Sequence, residues 1–294
     1  MANKDQKRLK RLLPRIHELA PDLEVRKVEY NDQGLMNEIA IINDDLVFRF
    51  ARDAEAALAL QAELTILNHL RQYLSLPIPT PFASTPCSAA YHMLPGDALS
   101  REALAGRDSA EVQALAEQTG IFLSELHSAP LLPGLPRSPA PVTPEAWLKI
   151  QRRTRKLVYP LLLPHQLAAV DRFFERLLGD PGMFDSQPAL IHGDLGPYHL
   201  LYDSQARRLA GVIDFGVAGL GDPANDLALL LHYYGERFVQ RMLEVYPQAA
   251  EVLPRARLYA RGLELEWVIK GLRSGETFWF TAHLAAARDL DGWE

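Results

Sequence analysis

Cysteine is almost missing from this chain: Cys87 is the one thiol in 294 residues. No intrachain disulfide can form and no thiolate cluster can hold a metal, so a reducing compartment suits the protein. Long apolar runs are missing too. No stretch reaches the ~18 consecutive apolar residues of a membrane-spanning helix, and no membrane partner is expected. Nor is there a basic excess: 31 Lys and Arg stand against 37 Asp and Glu, a net charge of −6. This disfavours nucleic acid as a partner and is compatible with cationic ligands. The opening Met1 to Arg8 is polar and charged with no apolar run behind it. It does not read as a secretory signal, and a cytoplasmic location is expected. Internal repeats and low-complexity tracts are absent. With 48% hydrophobic residues, the chain can build one large or two modest domains.

What the sequence does have is concentrated between Ala189 and Asp226. Three short apolar runs lie there, at 189–191, 200–202 and 209–213. They are bounded by turn residues and read as buried β-segments. Asp194 follows the first run, His199 precedes the second and Asp214 follows the third. If the second and third pair as a hairpin, His199 and Asp214 come to the same end, beside the loop carrying Asp194. Phosphoryl transfer needs such a set: a base for a hydroxyl proton, and groups that hold a metal on the nucleotide phosphates. Asp194 would be the base, with Asp214 and His199 on the metal. Each turn alone, His192-Gly193-Asp194 or Asp214-Phe215-Gly216, could be an ordinary Gly/Asp turn. Their order and their spacing of 20 residues, from Asp194 to Asp214, favour the chemical reading.

These residues, together with Asp222-Pro223 and Asp226, resemble the kinase-like antibiotic phosphotransferases. The aminoglycoside 2''-phosphotransferases and macrolide phosphotransferases are the nearest in pattern, because they share a histidine where most relatives have asparagine, here His199. The resemblance implies an α+β, two-lobed protein-kinase-like fold. A small antiparallel-sheet lobe, 1–94, would bind nucleotide, and a larger, mostly helical lobe, 95–294, would carry catalysis and substrate. It implies Mg²⁺ and ATP or GTP, a monomer, and an aminoglycoside or macrolide acceptor, with a metabolic small-molecule kinase as the further option. Imidazole is an unusual ligand for Mg²⁺, so Asp214 is the firmer of the two metal ligands. Only Val217 to Gly221 separate Asp-Phe-Gly from Asp222-Pro223. That leaves no room for a long activation loop and argues against a protein substrate.

Before this stretch, 5–19 reads as an amphipathic helix whose basic cluster (Lys7, Arg8, Lys10, Arg11) is a solvated face. Residues 23–28, 37–42 and 45–50 read as strands, the last two joined at Asn43-Asp44. The 31–36 turn, with Gly34, would cover the nucleotide phosphates in a kinase-like fold, though a plain hairpin turn explains it equally. Arg49 stands where kinases place a phosphate-binding lysine, a role arginine can fill; alone, it could be an edge-strand arginine facing solvent. Glu63 lies mid-face on an apolar helix over 55–74, where a carboxylate needs a partner. Arg49 is that partner unless Glu63 lies at the rim of the core. Residues 88–94 read as a strand running into Pro95-Gly96. By resemblance this is the interlobe hinge, where backbone groups near Tyr91, Met93 and Leu94 would meet the nucleobase.

Beyond the hinge, helices are expected at 109–128 (Ser109 as N-cap), 145–158 and 164–179. His127 reads as structural or capping. The proline-rich 129–144 is a loop in the region where relatives carry substrate-facing inserts. The run Arg152 to Lys156 is a solvated helix face, with phosphate contact as a minor alternative. Asp222 and Pro223 would start a helix with the stripe Leu227, Leu230, Leu231, Tyr234 and Phe238. Asp226 resembles the buried aspartate that braces the family's catalytic loop. Residues 255–294 read as helical, with acids (Glu264, Glu266, Glu276, Asp289, Asp291, Glu294) among Trp267, Trp279 and Trp293. Such interleaving suits a polycationic sugar; helices packed through their tryptophans, with the acids in water, fit as well. Where aminoglycoside 2''-phosphotransferases carry an acidic cluster, this chain reads Leu229 to Tyr234, which shifts weight toward an apolar or singly charged acceptor such as a macrolide. A non-catalytic nucleotide or antibiotic binder is the alternative of another class; the intact Asp194 and Asp214 argue against it.

Overall fold

In the computed structural model, which describes residues 2–31 and 36–275, the first part of the chain is built on the hairpin of β2 (Asn37–Ile42) and β3 (Leu46–Ala51). The link is Asn43-Asp44, with φ of 55° and 61°. This is the turn whose twist matches the strands, and Asn and Asp tolerate it best after glycine. With β1 (Val28–Asn31), β4 (Pro81–Thr85) and β5 (Ser88–His92) it forms a five-stranded antiparallel sheet of order β1-β2-β3-β5-β4. The strand expected at 23–28 begins only at Val28. The Asn43 side chain is the reason: it accepts from the Arg26 and Lys27 amides and donates to the Glu24 carbonyl. Backbone groups bonded to a side chain are withdrawn from a ladder.

Alternation along β3 assigns its two faces. Phe48 and Phe50, with Ala40, Ile42 and Ala90, pack under Leu12, Ile16 and Leu19 of α1 (Ala2–Leu19). Arg49 takes the opposite face, toward α2 (Ala54–Leu70), whose Leu60 and Leu64 pack on Ala89. The basic cluster of α1 is not wholly solvated. Arg8 lies over the Tyr30 ring, 4.2 Å from its centroid, and both Arg8 and Arg11 pair with Glu38 at 2.5 and 2.6 Å. Glu38 is a buried carboxylate on β2 and requires such partners.

At Pro95-Gly96 the chain leaves this sheet. Gly96 has φ 99°, and a Cβ there would stand 2.7 Å from the Tyr202 carbonyl oxygen, so glycine alone fits. A second sheet follows: β6 (Asp97–Ala98) pairs with β8 (Leu200–Asp203), and β8 with β9 (Arg208–Val212). Separately, β7 (Ala189–Ile191) pairs with β10 (Gly219–Gly221). Seven helices are described in this part: α3 (Arg101–Ala105), α4 (Ser109–Ser128), α5 (Pro144–Leu157), α6 (Pro164–Gly179), α7 (Ala224–Tyr234), α8 (Glu236–Met242) and α9 (Ala249–Ser274). One apolar core joins them, including Leu126, Phe174, Leu190, Leu200, Leu230 and Leu265. The expected α+β organisation is present, with an antiparallel sheet first and mostly helices after it. Among the described residues, no helix is long and apolar enough to cross a membrane.

Four local expectations are corrected. The N-cap of α4 is Asp108, which accepts from the Glu111 amide at 2.8 Å, and Ser109 is the first helical residue. α7 starts at Ala224. Asp222 accepts from the Ala224 amide at 3.0 Å, but its carboxylate also pairs with Arg255 of α9 at 2.5 and 2.9 Å. The stripe ending at Phe238 is broken by Gly235 (φ 82°) into α7 and α8. The proline-rich loop does not simply face a substrate: Leu220 donates to the Pro136 carbonyl and Ser138 to the Leu220 carbonyl, so 136–138 lies along β10.

α9 crosses the core where Trp147 lies flat on Tyr259, with centroids 5.4 Å apart. A Cβ at Gly262 would come within 2.2 Å of the Trp147 ring. Alanine in a helix is better than glycine by ~1 kcal/mol, yet overpacking costs ~1–3 kcal/mol. Gly262→Ala is therefore expected to lower the urea midpoint at unchanged m-value. A raised midpoint would mean Trp147 does not pack there.

Candidate active site

The site is built around the buried carboxylate of Asp226, in the first turn of α7. Its oxygens accept from the amides of His192 and Gly193 at 2.9 and 2.8 Å, and bond His127 Nε2 at 3.0 Å. His127 is held from its other nitrogen by the Tyr246 hydroxyl at 2.8 Å. The loop after β7 is thus tied to α4 and α7 by one side chain. Burial alone would raise the Asp226 pKa. The His127 bond, the neighbouring His127 and His192 rings and the His192 amide outweigh it, and the carboxyl stays below its ordinary value. Gly193 has φ 79°, and a Cβ there would stand 2.6 Å from Ser138 Oγ, so the turn before Asp194 needs glycine twice over.

Asp194, His199 and Asp214 lie together. β8 and β9 pair with Leu200 opposite Val212, which brings His199 and Asp214 to one end, where Ile213 N donates to the His199 carbonyl at 2.9 Å. His199 Nδ1 donates to the Asp194 carbonyl at 2.6 Å, and its Nε2 is 3.6 Å from Asp214 Oδ2. With Nδ1 as the donor to Asp194, Nε2 is the ring nitrogen that faces Asp214. Asp214 adopts φ 66°, a conformation that strains a residue with a Cβ and is often kept at functional sites. The Asp194 carboxyl is about half exposed; partial desolvation in the cleft raises its pKa, His199 draws it down, Asp214 pushes it up and Lys270 draws it down. His192 had no role in the sequence reading beyond its place in the motif. Its Nε2 bonds the Ile213 carbonyl at 3.0 Å, its Nδ1 accepts from the Asp194 amide at 3.3 Å, and burial lowers its pKa. One neutral ring therefore bridges the two aspartate-bearing segments.

Across the cleft, Arg49 Nη1 donates to Glu63 Oε1 at 2.6 Å, both side chains being buried. Arg49 faces Ala89 on β5, a residue small enough to admit it. Its Nε is buried with no partner among the described residues. Such a donor is costly to leave unpaired. The Tyr91 side chain reaches this ion pair. Burial pushes its hydroxyl up to about 12, Arg49 opposing and Glu63 adding. The Met93 amide is taken by the Asp45 carbonyl at 2.6 Å, whereas the Leu94 amide has no backbone partner among the described residues. Gly34 lies outside the described residues.

On the other side of Asp194, the Tyr233 ring packs on Gly196, 3.1 Å from where a Cβ would sit. His232 Nδ1 pairs with Glu264 Oε1 at 3.1 Å and sets its ring against Trp267, centroids 4.5 Å apart. Glu264 thus already has a side-chain partner within reach. Glu266, two residues on, is pushed up to about 7 by burial, with Arg153 of α5 opposing. The two acids do not form one cluster. Trp279, Trp293, Glu276, Asp289, Asp291 and Glu294 lie outside the described residues.

Among the described residues, no three His, Cys, Asp or Glu side chains are arranged to hold a metal unaided. A nucleotide-bound Mg²⁺ needs fewer, one or two carboxylates with phosphates supplying the rest. Asp214, with His199 Nε2 beside it at 3.6 Å, fits that smaller set. Removing the carboxylate that braces the loop is expected to be costly. Asp226→Ala leaves two buried amides and His127 without their acceptor, and should lose ~3–5 kcal/mol in urea unfolding. The Asp226 carboxyl is held low, so its contribution is complete above the unfolded value near 3.8 and is lost as pH falls through the lower folded value. The gap between wild type and variant should accordingly narrow in acid. A gap that is small or pH-independent would contradict the bracing role.

Comparison with known proteins matches residues 28–263 to the phosphotransferase enzyme family. Viomycin phosphotransferase of Streptomyces vinaceus is 29% identical over 217 residues, covering 69% of this chain and 72% of that protein. The GDP and kanamycin complex of APH(2")-IIia superposes with a TM-score of 0.83 at 25% identity, covering 94% of this chain and 97% of that one. Macrolide 2'-phosphotransferase type I follows with a TM-score of 0.69 at 22% identity, over 93% and 95% of the two chains. The kinase-like fold is thus shared along nearly the whole length, and the chain belongs to the phosphotransferase enzyme family.

Proposed function

We propose that the protein is an ATP- or GTP-dependent O-phosphotransferase that moves the γ-phosphoryl group onto a hydroxyl of an aminoglycoside antibiotic. The observation that carries this reading is the convergence of Asp194, His199 and Asp214 at one end of the β8–β9 hairpin. The likeness to a kanamycin-bound structure and to a viomycin phosphotransferase supports a cationic antibiotic as acceptor.

In this reading, Asp194 accepts or orients the proton of the attacking hydroxyl, and its raised pKa brings it nearer to neutrality, where a base works best. Arg49, held straight by Glu63, turns its unpartnered Nε to the phosphates. The Leu94 amide meets the nucleobase, and Gly34 belongs to the turn over the phosphates. Asp214 and His199 would hold Mg²⁺, which would supply positive charge against the nucleotide phosphates. Residues 1–94 then form the nucleotide lobe and 95–294 the catalytic lobe. Catalysis comes mostly from positioning and charge neutralisation. A macrolide acceptor is the second reading, favoured by two observations: Ala224 to Leu231 are buried without interruption, leaving no acidic cluster on α7, and Glu264 is engaged by His232.

Asp194→Ala should lower turnover ~10²–10⁴-fold while nucleotide affinity, read by titration, changes little. Persistence of wild-type turnover would remove Asp194 from the mechanism. Turnover with Mg²⁺ and either nucleotide should be stimulated by kanamycin. Stimulation by erythromycin alone would move the assignment to the macrolide reading.

A further inference from the structure

Beside the acceptor side of the Asp194 loop, a separate cleft of about 440 Å³ opens between α3, the start of α4, the end of α7 and α8. Its walls carry Arg101, Arg107 and Arg241, with Ser109, Tyr233 and Tyr234. Three guanidinium groups around one cavity are unexpected in a chain of net charge −6. The reason they are not neutralised is that other arginines already hold the nearby acids. Arg207, at the β8–β9 turn, pairs with Asp108 at 2.5 Å and with Glu111 at 2.6 Å. Glu236 of α8 is held by Arg257 at 2.6 Å and by Gln240 at 2.8 Å. Glu102 turns to Ser100 and to its own amide.

What remains is a positively charged cavity in which one of the three arginines, Arg107, has a carboxylate within reach. Arg107 is fixed: its guanidinium lies over the Tyr202 ring, 4.7 Å from the centroid, and its Nε donates to the Ala103 carbonyl, with Glu111 no closer than 3.9 Å. Arg241 donates to Ser109 Oγ at 3.1 Å. Neither Arg101 nor Arg241 has a carboxylate within ion-pair distance among the described residues. The Tyr234 hydroxyl is bound to the Leu99 carbonyl at 2.6 Å, so the ring is presented and not the hydroxyl. Tyr233 has no hydrogen-bond partner at its hydroxyl among the described residues. The volume is that of a small organic ligand, larger than a lone ion needs.

We propose that this cleft is a second ligand site, distinct from the nucleotide and acceptor positions, for a small ring-bearing molecule with a phosphate or carboxylate group. Arginines bind either anion through paired N–H donors, and the two tyrosine rings supply the flat contact. Because Tyr233 also packs on Gly196, the site shares a wall with the catalytic loop.

The test is calorimetric titration of the full chain with phenyl phosphate, benzoate and phenol. The nucleotide position is filled beforehand with Mg²⁺ and a non-hydrolysable ATP or GTP analogue. Phenyl phosphate, benzoate or both should bind with one-site stoichiometry, their ratio separating a phosphate from a carboxylate site, and uncharged phenol should not. The Arg101→Ala/Arg241→Ala double variant should bind the anion at least tenfold more weakly, with nucleotide affinity unchanged. The control Arg152→Ala, which removes a charge outside the cleft, should behave as wild type. No anion binding by the wild type, equal binding by the double variant, or equal weakening by Arg152→Ala would each overturn the proposal.

Discussion

A single buried carboxylate organises the catalytic half of this protein. Asp226, itself fully buried, collects two loop amides and His127 at 2.8–3.0 Å. An unpaired anion there would be prohibitive, and unpaired amides nearly so. The interaction is therefore all-or-none, and it fixes the loop after β7 relative to α4 and α7. From that anchor, His192 carries the constraint onward, bonding the Ile213 carbonyl on one side and the Asp194 amide on the other. The two aspartate segments are consequently positioned by buried, neutral contacts, while the carboxylates themselves remain about half exposed.

The opposite wall follows different physics. Strand alternation sends Phe48 and Phe50 to α1 and Arg49 to α2. Glu63 is tolerable on the apolar face of α2 because Arg49 meets it, and Arg49 fits because Ala89 lies opposite. The ion pair leaves one donor, Nε, unused. An unsatisfied buried donor beside a cleft is a standing cost, and a bound phosphate would remove it.

Charge around the acceptor side is distributed by competition among ion pairs more than by composition. Glu264 is tied to His232, while Asp108 and Glu111 are tied to Arg207. Counting acids along the C-terminal sequence overstates the negative charge available to a cation. The same competition leaves Arg101 and Arg241 of the neighbouring cleft without a carboxylate in ion-pair distance among the described residues, although the chain as a whole is acidic.

By itself the sequence determined the parts whose physics is local. Turn residues bounded β7, β8 and β9. Helical periodicity marked α2, α4, α5 and α6. Two aspartates at turn positions, with a histidine between them, indicated phosphoryl transfer. The unbroken apolar run at Leu229 to Leu231 already excluded an acidic cluster there. Other features depend on partners far away in sequence, and only the tertiary structure decided them. Asn43 withdrew 24–27 from the sheet, Asp222 found Arg255, His127 found Asp226, and the proline-rich loop lay down along β10. Tyr91 turned to the Arg49 pair, and the Met93 amide was taken by Asp45. Local propensity registers a residue's neighbours within a turn or two, whereas the partner of a buried charge is set by which surfaces the fold brings together.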